Sequence, residues 1–457
     1  MTRFKAFCMS RGVKIFLLFV LILLFLIPKG MIWNLIYERS RRAAEVEREI
    51  MRAWGEDFTV LGPLLCIPCL ERNEIKTVLE NKEEKTEIRE TEFFLYLTPE
   101  ELYENANLET LVKTRGIFSV PLYFGSIQLK GNFSYEQMLG ELRENQKAFP
   151  EKAELIISIA NMNGIKGVKN SEWNGQILRF QPGTNGFSIS PGNSRKSSPG
   201  IHSAAPLVPD TENSFDIVFT IQGGKSFSMI PIGQSSSFTV QSDWPSPSFQ
   251  GAYLPVTHYI DENGFKANWE FSYLSQNIPL AWQDRNDSTG FSYSDFEVNF
   301  FEAVDHYAMN TRAAKYAILF IIIPFLGFLL FELLMRKNIH PAQYLLAGTG
   351  NIIFYLLLLS LSEHIAFAGA YCISALAVVL MTSLYSRSFL GDWGKSWIMG
   401  AVMAFLYAFL YFTLQSEDWA LLIGSVGAFG ITAVVMFLTR KLDWWGTSYE
   451  KKADAES

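Results

Sequence analysis

The sequence is poor in the residues that usually carry chemistry. It has five histidines and four cysteines in 457 residues. Cys8 and Cys372 lie outside the central polar region, so they cannot pair within it. Cys66 and Cys69 form Cys-Ile-Pro-Cys inside an apolar, strand-like run, VLGPLLCIPCLE. A thiol redox pair needs its first cysteine at a helix N-terminus, and positions i and i+3 of a strand point to opposite faces. The two are therefore read as small buried hydrophobes, and a disulfide scaffold is excluded. His202 and His258 lack a second histidine or a carboxylate at ligand spacing, and the Asp305-His306 pair stands alone. No metal site or cofactor is expected. There is no glycine-rich phosphate loop and no internal repeat. The formal charge is −7, with no basic stripe interleaved with aromatics, which excludes nucleic acid as a partner.

The most informative shortage is of charge between residues 316 and 438. Apolar runs occupy 316–335, 344–361, 365–385, 397–414 and 419–438. A bilayer core about 30 Å thick takes about 20 helical residues, so each run suits one crossing. A further apolar run follows the basic residues Arg3, Lys5, Arg11 and Lys14, and no small-x-small cleavage site succeeds it. Residues 13–36 read as an uncleaved signal anchor, with Lys29 snorkelling along its stem. Basic residues alternate between turns. Arg336 and Lys337, then Arg387 and Lys395, then Arg440 and Lys441 lie on one side; Ser362-Glu363-His364 and Gln415 to Asp418 lie on the other. The positive-inside bias then gives six spans, both termini cytoplasmic, and residues 37–315 outside.

The outer region reads as β. Residues 38–54 form a helix continuing the anchor, with Ala43, Val46, Ile50 and Trp54 on one face, and Gly55 stops it. From Phe58 to about Phe301, short β-branched and aromatic runs are bounded by turn residues. Residues 136–147 are the one helix expected inside. Residues 181–200 and 243–249 are expected as loops, and Asn132 and Asn174 as turn residues. The expected organisation is a cytoplasmic N-terminus and anchor (1–36), a β-rich periplasmic domain (37–315), a five-helix bundle (316–438) and a cytoplasmic tail (439–457). The fold class is thus a membrane α-helical protein of six transmembrane helices, with a large β-rich periplasmic domain inserted between helices 1 and 2.

Five polar positions stand out as functional or packing candidates: Glu332, His340, Asn351, Glu363 and His364. Ser362-Glu363-His364 groups a hydroxyl, an acid and an imidazole at a helix end. Adjacent helix-end residues do not face one another, so a hydrated turn is the plainer reading. Glu332 pairs with Arg336 one turn on, or faces inward as a proton relay. Asn351 is the one amide within a span and suits an interhelical hydrogen bond. Gly348, Gly350, Gly424, Gly427 and Gly430 suit close helix packing. Trp33, Trp393, Trp397, Trp419, Trp444 and Trp445 fall near span ends as interfacial anchors.

The runs LGPLLCIP (61–68), PSFQGAYLP (247–255), NGFKANWEFSY (263–273), TRAAKYAILF (311–320), HPAQYLLAG (340–348) and FYLLLLSLSEH (354–364) resemble the inner membrane protein CreD family. Cys66 and Cys69 depart from that pattern, since similar proteins carry apolar residues there. The resemblance implies a bacterial inner membrane protein whose expression is tied to a two-component response and which is associated with colicin tolerance and envelope integrity. It implies no catalytic residue, substrate or cofactor. The expected function is a non-enzymatic envelope stress or integrity protein whose periplasmic domain contacts an unknown envelope component, with membrane lipids around the bundle. A transporter or lipid-handling protein is the alternative, hinted at by Pro324 and Asn351, and an intramembrane enzyme using Ser362 or His364 is a third reading. Oligomeric state is not legible in the sequence.

Overall fold

The computed structural model describes residues 11–78, 84–187, 198–276, 278–284, 294–300, 306–335, 339–416 and 419–440. Two compact units emerge, one of Met1–Ala43 with Val304–Ser457 and one of Ala44–Ala303.

The second unit is built from β-strands of two to 21 residues, several of which alternate their side chains between a core and water. In order they are β1 (Phe58–Val78), β2 (Glu84–Leu97), β3 (Glu101–Arg115), β4 (Phe118–Phe133), β5 (Gln146–Ala148), β6 (Glu154–Ile159), β7 (Ile165–Trp173), β8 (Gln176–Ile177), β9 (Gln181–Pro182), β10 (Gly200–Ala204), β11 (Asn213–Gly223), β12 (Ser226–Ile230), β13 (Ser235–Ser242), β14 (Pro247–Gly251), β15 (Thr257–Asp261), β16 (Gly264–Ser272), β17 (Ala281–Gln283) and β18 (Phe296–Phe300). One sheet has the order β14-β18-β12-β1-β6-β10-β9, with β2 and β5 joined along the far part of β1 and β17 paired to β2. The other has the order β15-β16-β13-β3-β4-β11-β7-β8. One hydrophobic core draws on both, so the unit is a β-sandwich. In β3, Leu102, Glu104, Ala106 and Leu108 point inward and the residues between them outward. β13 and β16 repeat this with Phe238 and Val240, and with Phe265, Ala267, Trp269 and Phe271.

Three local expectations are corrected. The helix over 136–147 is shorter, spanning Tyr135–Gly140, because Gln146–Ala148 pairs with β1 instead. Residues 247–251 are a strand, not a loop; Pro247 is its first residue and the strand lies at the sheet edge, where a missing N–H is tolerated. Asn132 lies within β4, whereas Asn174 does sit in a turn, at φ 50°.

The first unit is helical. The helix α1 (Arg11–Trp54) is unbroken through Pro28, and its last part, from Ala44, belongs to the β unit. There Trp54 donates from Nε1 to the Tyr123 carbonyl at 3.2 Å, and Lys113 lies 3.9 Å from the Trp54 ring centroid. The short helix of the β unit, Tyr135–Gly140, is α2. The remaining helices are α3 (His306–Lys315), α4 (Ala317–Met335), α5 (Pro341–Ser362), α6 (Phe367–Leu390), α7 (Trp393–Gln415) and α8 (Ala420–Thr439). Four described helices are long and apolar enough to cross a membrane, Phe16–Trp54, Pro341–Ser362, Phe367–Ser388 and Trp393–Gln415. The pair α3 and α4, bent by 43°, makes a fifth if counted as one span. In α8 the apolar stretch Leu422–Val434 is shorter than those four. The expected sixth crossing rests on it.

Helix ends follow the local chemistry. His340 caps α5: Nδ1 accepts from the Ala342 N–H at 3.2 Å, while Gln343 Oε1 accepts from the His340 N–H at 3.0 Å. Gly391, at φ 71°, ends α6 in the left-handed conformation open to glycine. Asp392 then caps α7 through the Gly394 N–H. Gly348 does allow a close approach, because a Cβ there would lie 2.6 Å from the Phe25 ring. Gly424 and Gly430 face open space instead.

Candidate functional site

The five polar candidates are dispersed over three places. His340 is spent on the α5 cap and is exposed. Glu332 is buried and accepts a hydrogen bond from the Tyr344 hydroxyl at 2.9 Å. Its expected partner Arg336 lies outside the described residues. Asn351 is buried at the middle of α5, and its Oδ1 accepts from the Tyr407 hydroxyl at 3.3 Å. That is the interhelical bond its sequence position suggests.

Ser362, Glu363 and His364 do not converge on one another. Asn310 of α3 donates from Nδ2 to Ser362 Oγ at 2.8 Å and also to the His306 carbonyl at 2.8 Å. The Ser362 hydroxyl donates to the Leu359 carbonyl at 3.0 Å. Glu363 accepts from the Tyr307 hydroxyl at 3.1 Å, and Arg39 Nε stands 3.8 Å from the same carboxylate oxygen. His364 is exposed. The result is a knot of polar bonds tying α1 and α3 to the end of α5. His306 belongs to this knot, and its Nδ1 is buried without a hydrogen-bond partner. A serine whose proton goes to its own helix carbonyl has no base to activate it.

The tryptophans Trp33, Trp393, Trp397 and Trp419 are exposed on the helical unit. Trp444 and Trp445 lie outside the described residues. In the sandwich, Cys66 and Cys69 are buried and form no disulfide. Burial raises the Cys66 thiol pKa far above its ordinary 9.0, with the Glu154 and Asp284 carboxylates adding to the effect, so the thiol stays protonated. His202 contacts the Gly183 carbonyl through Nδ1 at 2.9 Å, and His258 packs its ring 5.5 Å from that of Phe249.

A site that the sequence reading misses lies on the open face of the sheet β15-β16-β13-β3-β4-β11-β7-β8. Strand pairing lines up Thr257, Asn268, Thr239, Asn105 and Gln128 in one rung across five strands. The rung is partly bonded to itself. Thr239 donates to Asn268 Oδ1 at 2.9 Å, and Asn268 Nδ2 donates to Thr257 Oγ1 at 3.0 Å. Two tyrosines stand on either side of it, Tyr103 on β3 and Tyr259 on β15, both more than half exposed. Register sets them three strands and four residues apart, about 20 Å along a diagonal.

Three depressions follow that diagonal, of about 340, 280 and 280 Å³. The first, at Tyr259, shares Gln241 and Lys266 with the next, and that one shares Tyr103 and Lys130 with the last. They form one shallow groove. Lys130 is tied to Asp216 at 3.0 Å, and Gln128 donates to the same carboxylate at 2.8 Å. Gly264 shapes the groove's end at φ 137°, where a Cβ would overlap the Ser242 carbonyl oxygen. The signal available in sequence was the strict alternation of ELYENANLE at 101–109, where Tyr103, Asn105 and Asn107 take the outward positions between Glu101 and Glu109.

Comparison with known proteins bears on the whole chain. The chain is 33% identical over 442 residues to the inner membrane protein CreD of Escherichia coli (strain K12), covering 96% of this chain and 95% of that protein. Among solved structures, an M1 zinc metallopeptidase from Deinococcus radiodurans and a mutant of it bound to a Tyr-Ser-Ala substrate match at 9% and 11% identity. Each covers 44% of this chain and 42% of its own, at a TM-score of 0.22. The model of the family described as inner membrane protein CreD matches residues 10–445, and the chain belongs to that family.

Proposed function

We propose that this CreD-family protein is a non-enzymatic envelope maintenance protein whose β-sandwich contacts an envelope component in the periplasm. In this reading the helices make six crossings, both termini are cytoplasmic, and the sandwich lies between the first and second crossings. The observation that carries it is the groove along the open sheet face, a broad polar surface with exposed aromatic rings on a rigid scaffold. Two features support a non-catalytic role: the Ser362 hydroxyl bonds to its own helix, and the Cys66 thiol is held protonated. The association of similar proteins with colicin tolerance, envelope integrity and a two-component response fits an envelope contact, and it reaches this chain as part of the same proposal.

A photo-crosslinking residue in place of Tyr259 tests the reading in living cells. Capture of envelope material from that position, together with an envelope defect on deletion, is the expected result. No capture and no defect would contradict it.

Transport or lipid handling by the helical unit is the second reading. It is favoured by one observation: Tyr344, Asn351, Tyr355 and Ser362 lie buried on one face of α5, and the Tyr355 hydroxyl has no hydrogen-bond partner. An unpaired hydroxyl in a buried site invites a ligand or a water. Replacing Asn351 and Tyr355 with apolar residues while the deletion phenotype stays fully complemented would remove this reading.

A further inference from the structure

The chemistry of the groove is narrower than that of a generic polar surface. Its floor is dominated by side chains that both donate and accept: the amides of Asn105, Asn107, Gln128 and Gln241, and the hydroxyl of Thr239. A ligand built of hydroxyl and acetamido groups also does both. An anionic polymer needs donors and positive charge. Here the basic side chains Lys130 and Lys266 are outnumbered by Glu101, Glu172, Asp216 and Asp261, and Lys130 is already neutralised by Asp216. Like charge disfavours such a polymer.

A peptide is also disfavoured. Peptides that bind sheets add to an edge, where backbone N–H and C=O groups are free. The groove crosses the face of β13, β3 and β4, whose backbones are paired on both sides. What remains is a flat, extended, neutral ligand with apolar ring faces that can lie on Tyr103 and Tyr259. Tyrosine supplies such a platform at low entropic cost, with a hydroxyl at its rim. The length between the two rings accommodates several sugar rings in a row.

We propose that this groove binds a neutral glycan strand of N-acetylated amino sugars, the chemistry of the bacterial cell wall, with Tyr103 and Tyr259 as stacking platforms and the amide rung as the hydrogen-bonding floor. The proposal rests on the reading above that the sandwich faces the periplasm.

The test uses full-length protein in nanodiscs of zwitterionic lipid, sedimented with purified sacculi, with chitin and with cellulose. Sacculi and chitin retain the protein and cellulose does not. Soluble N-acetylglucosamine oligomers release it and polyphosphate does not. The double variant Tyr103→Ala with Tyr259→Ala loses at least tenfold in retention. Tyr103→Phe with Tyr259→Phe keeps the rings and keeps binding, which separates stacking from misfolding. Leu274→Ala, exposed outside the groove, changes nothing. The proposal is overturned if wild type is not retained, if the alanine pair binds as well as wild type, if cellulose retains it equally, or if polyphosphate alone releases it. Capture of an envelope protein from Tyr259 in cells, with no retention on sacculi, would end the glycan assignment and leave the envelope-contact reading standing. Failure of both experiments would end both.

Discussion

In the sandwich, Tyr103, Asn105, Asn107, Gln128 and Lys130 face outward, while Phe238, Trp269 and Phe296 fill the interior. In the helical unit the arrangement is reversed. Phe405, Phe412, Val426 and Phe429 are exposed, while Asn310, Glu332, Asn351 and Ser362 are buried. Each fold turns toward its surroundings the surface that those surroundings can solvate. Where the medium is hydrocarbon, a polar group must find its partner inside, and most of these do: Asn310 with Ser362, Glu332 with Tyr344, Asn351 with Tyr407. Tyr355 in the helical unit is one exception, and another is in the sandwich. Glu104 points into the core of β3, flanked across the sheet by Leu129 and Phe238, and neither carboxylate oxygen has a hydrogen-bond partner.

The reversal can be broken from the lipid side. Phe405→Lys places a charge on an exposed face of α7, within a segment apolar enough to span. A lysine at the centre of a membrane helix is unfavourable by about 2.5–3.5 kcal/mol on insertion scales. The expected outcome is a severalfold or greater loss of protein from the membrane fraction, measured by quantitative blotting. Tyr103→Lys, at an exposed position on the sandwich, leaves the level unchanged.

Glu104 sharpens the comparison from the water side. Burial raises its carboxyl pKa well above the ordinary 4.5, so the folded protein keeps the proton where the unfolded chain has lost it. The unfolded chain is then the one stabilised as pH rises above 4.5, and the fold loses stability from there up to the raised folded pKa. Glu104→Met removes the penalty. The variant should be more stable than wild type at neutral pH by about 1–4 kcal/mol, judged from replacements of buried charged groups by apolar ones. The difference should shrink below pH 4.5, where both states hold the proton and only the cost of burying an unpaired neutral carboxyl is left. Chemical denaturation of the full chain at the two pH values reads this directly.

Much of this was legible in the sequence. Long charge-free runs announced the helices, and short bounded runs announced the strands, because each reflects a solvent requirement that acts on every residue in turn. Asn351 could be assigned an interhelical bond because an amide in hydrocarbon has few alternatives. What the sequence could not show was set by distant pairing. The groove exists only because register aligns Thr257 with Asn268, Thr239, Asn105 and Gln128, which come from strands far apart in the chain. Ser362 and His364 are neighbours in sequence, yet the serine's partner is Asn310, 52 positions away. The strand at Pro247 was hidden because its proline reads as a breaker until the sheet edge is known.

Two smaller effects complete the series. Asn310→Ala removes two hydrogen bonds from the knot at the end of α5, and Ser362 keeps only its bond to the Leu359 carbonyl. A loss of about 1–2 kcal/mol is expected, on the scale of membrane-protein side-chain bonds, read as a lower unfolding midpoint in detergent. Arg115→Ala breaks an exposed pair with Glu49, formed at 2.5 Å. Its effect should stay below about 1 kcal/mol and shrink further with salt. A larger loss there would mean that the outer part of α1 contributes more to the sandwich than surface charge allows.

In the orientation proposed above, the sandwich face bearing Tyr103 looks onto the periplasm while Arg387, near the end of α6, looks onto the cytoplasm. Tyr103→Cys and Arg387→Cys, each made in a chain whose native cysteines are replaced by alanine, can be labelled with a membrane-impermeant maleimide on intact spheroplasts. The expected result is that the cysteine at 103 labels at once and the cysteine at 387 only after permeabilisation. Immediate labelling at both positions, or at 387 alone, would contradict it.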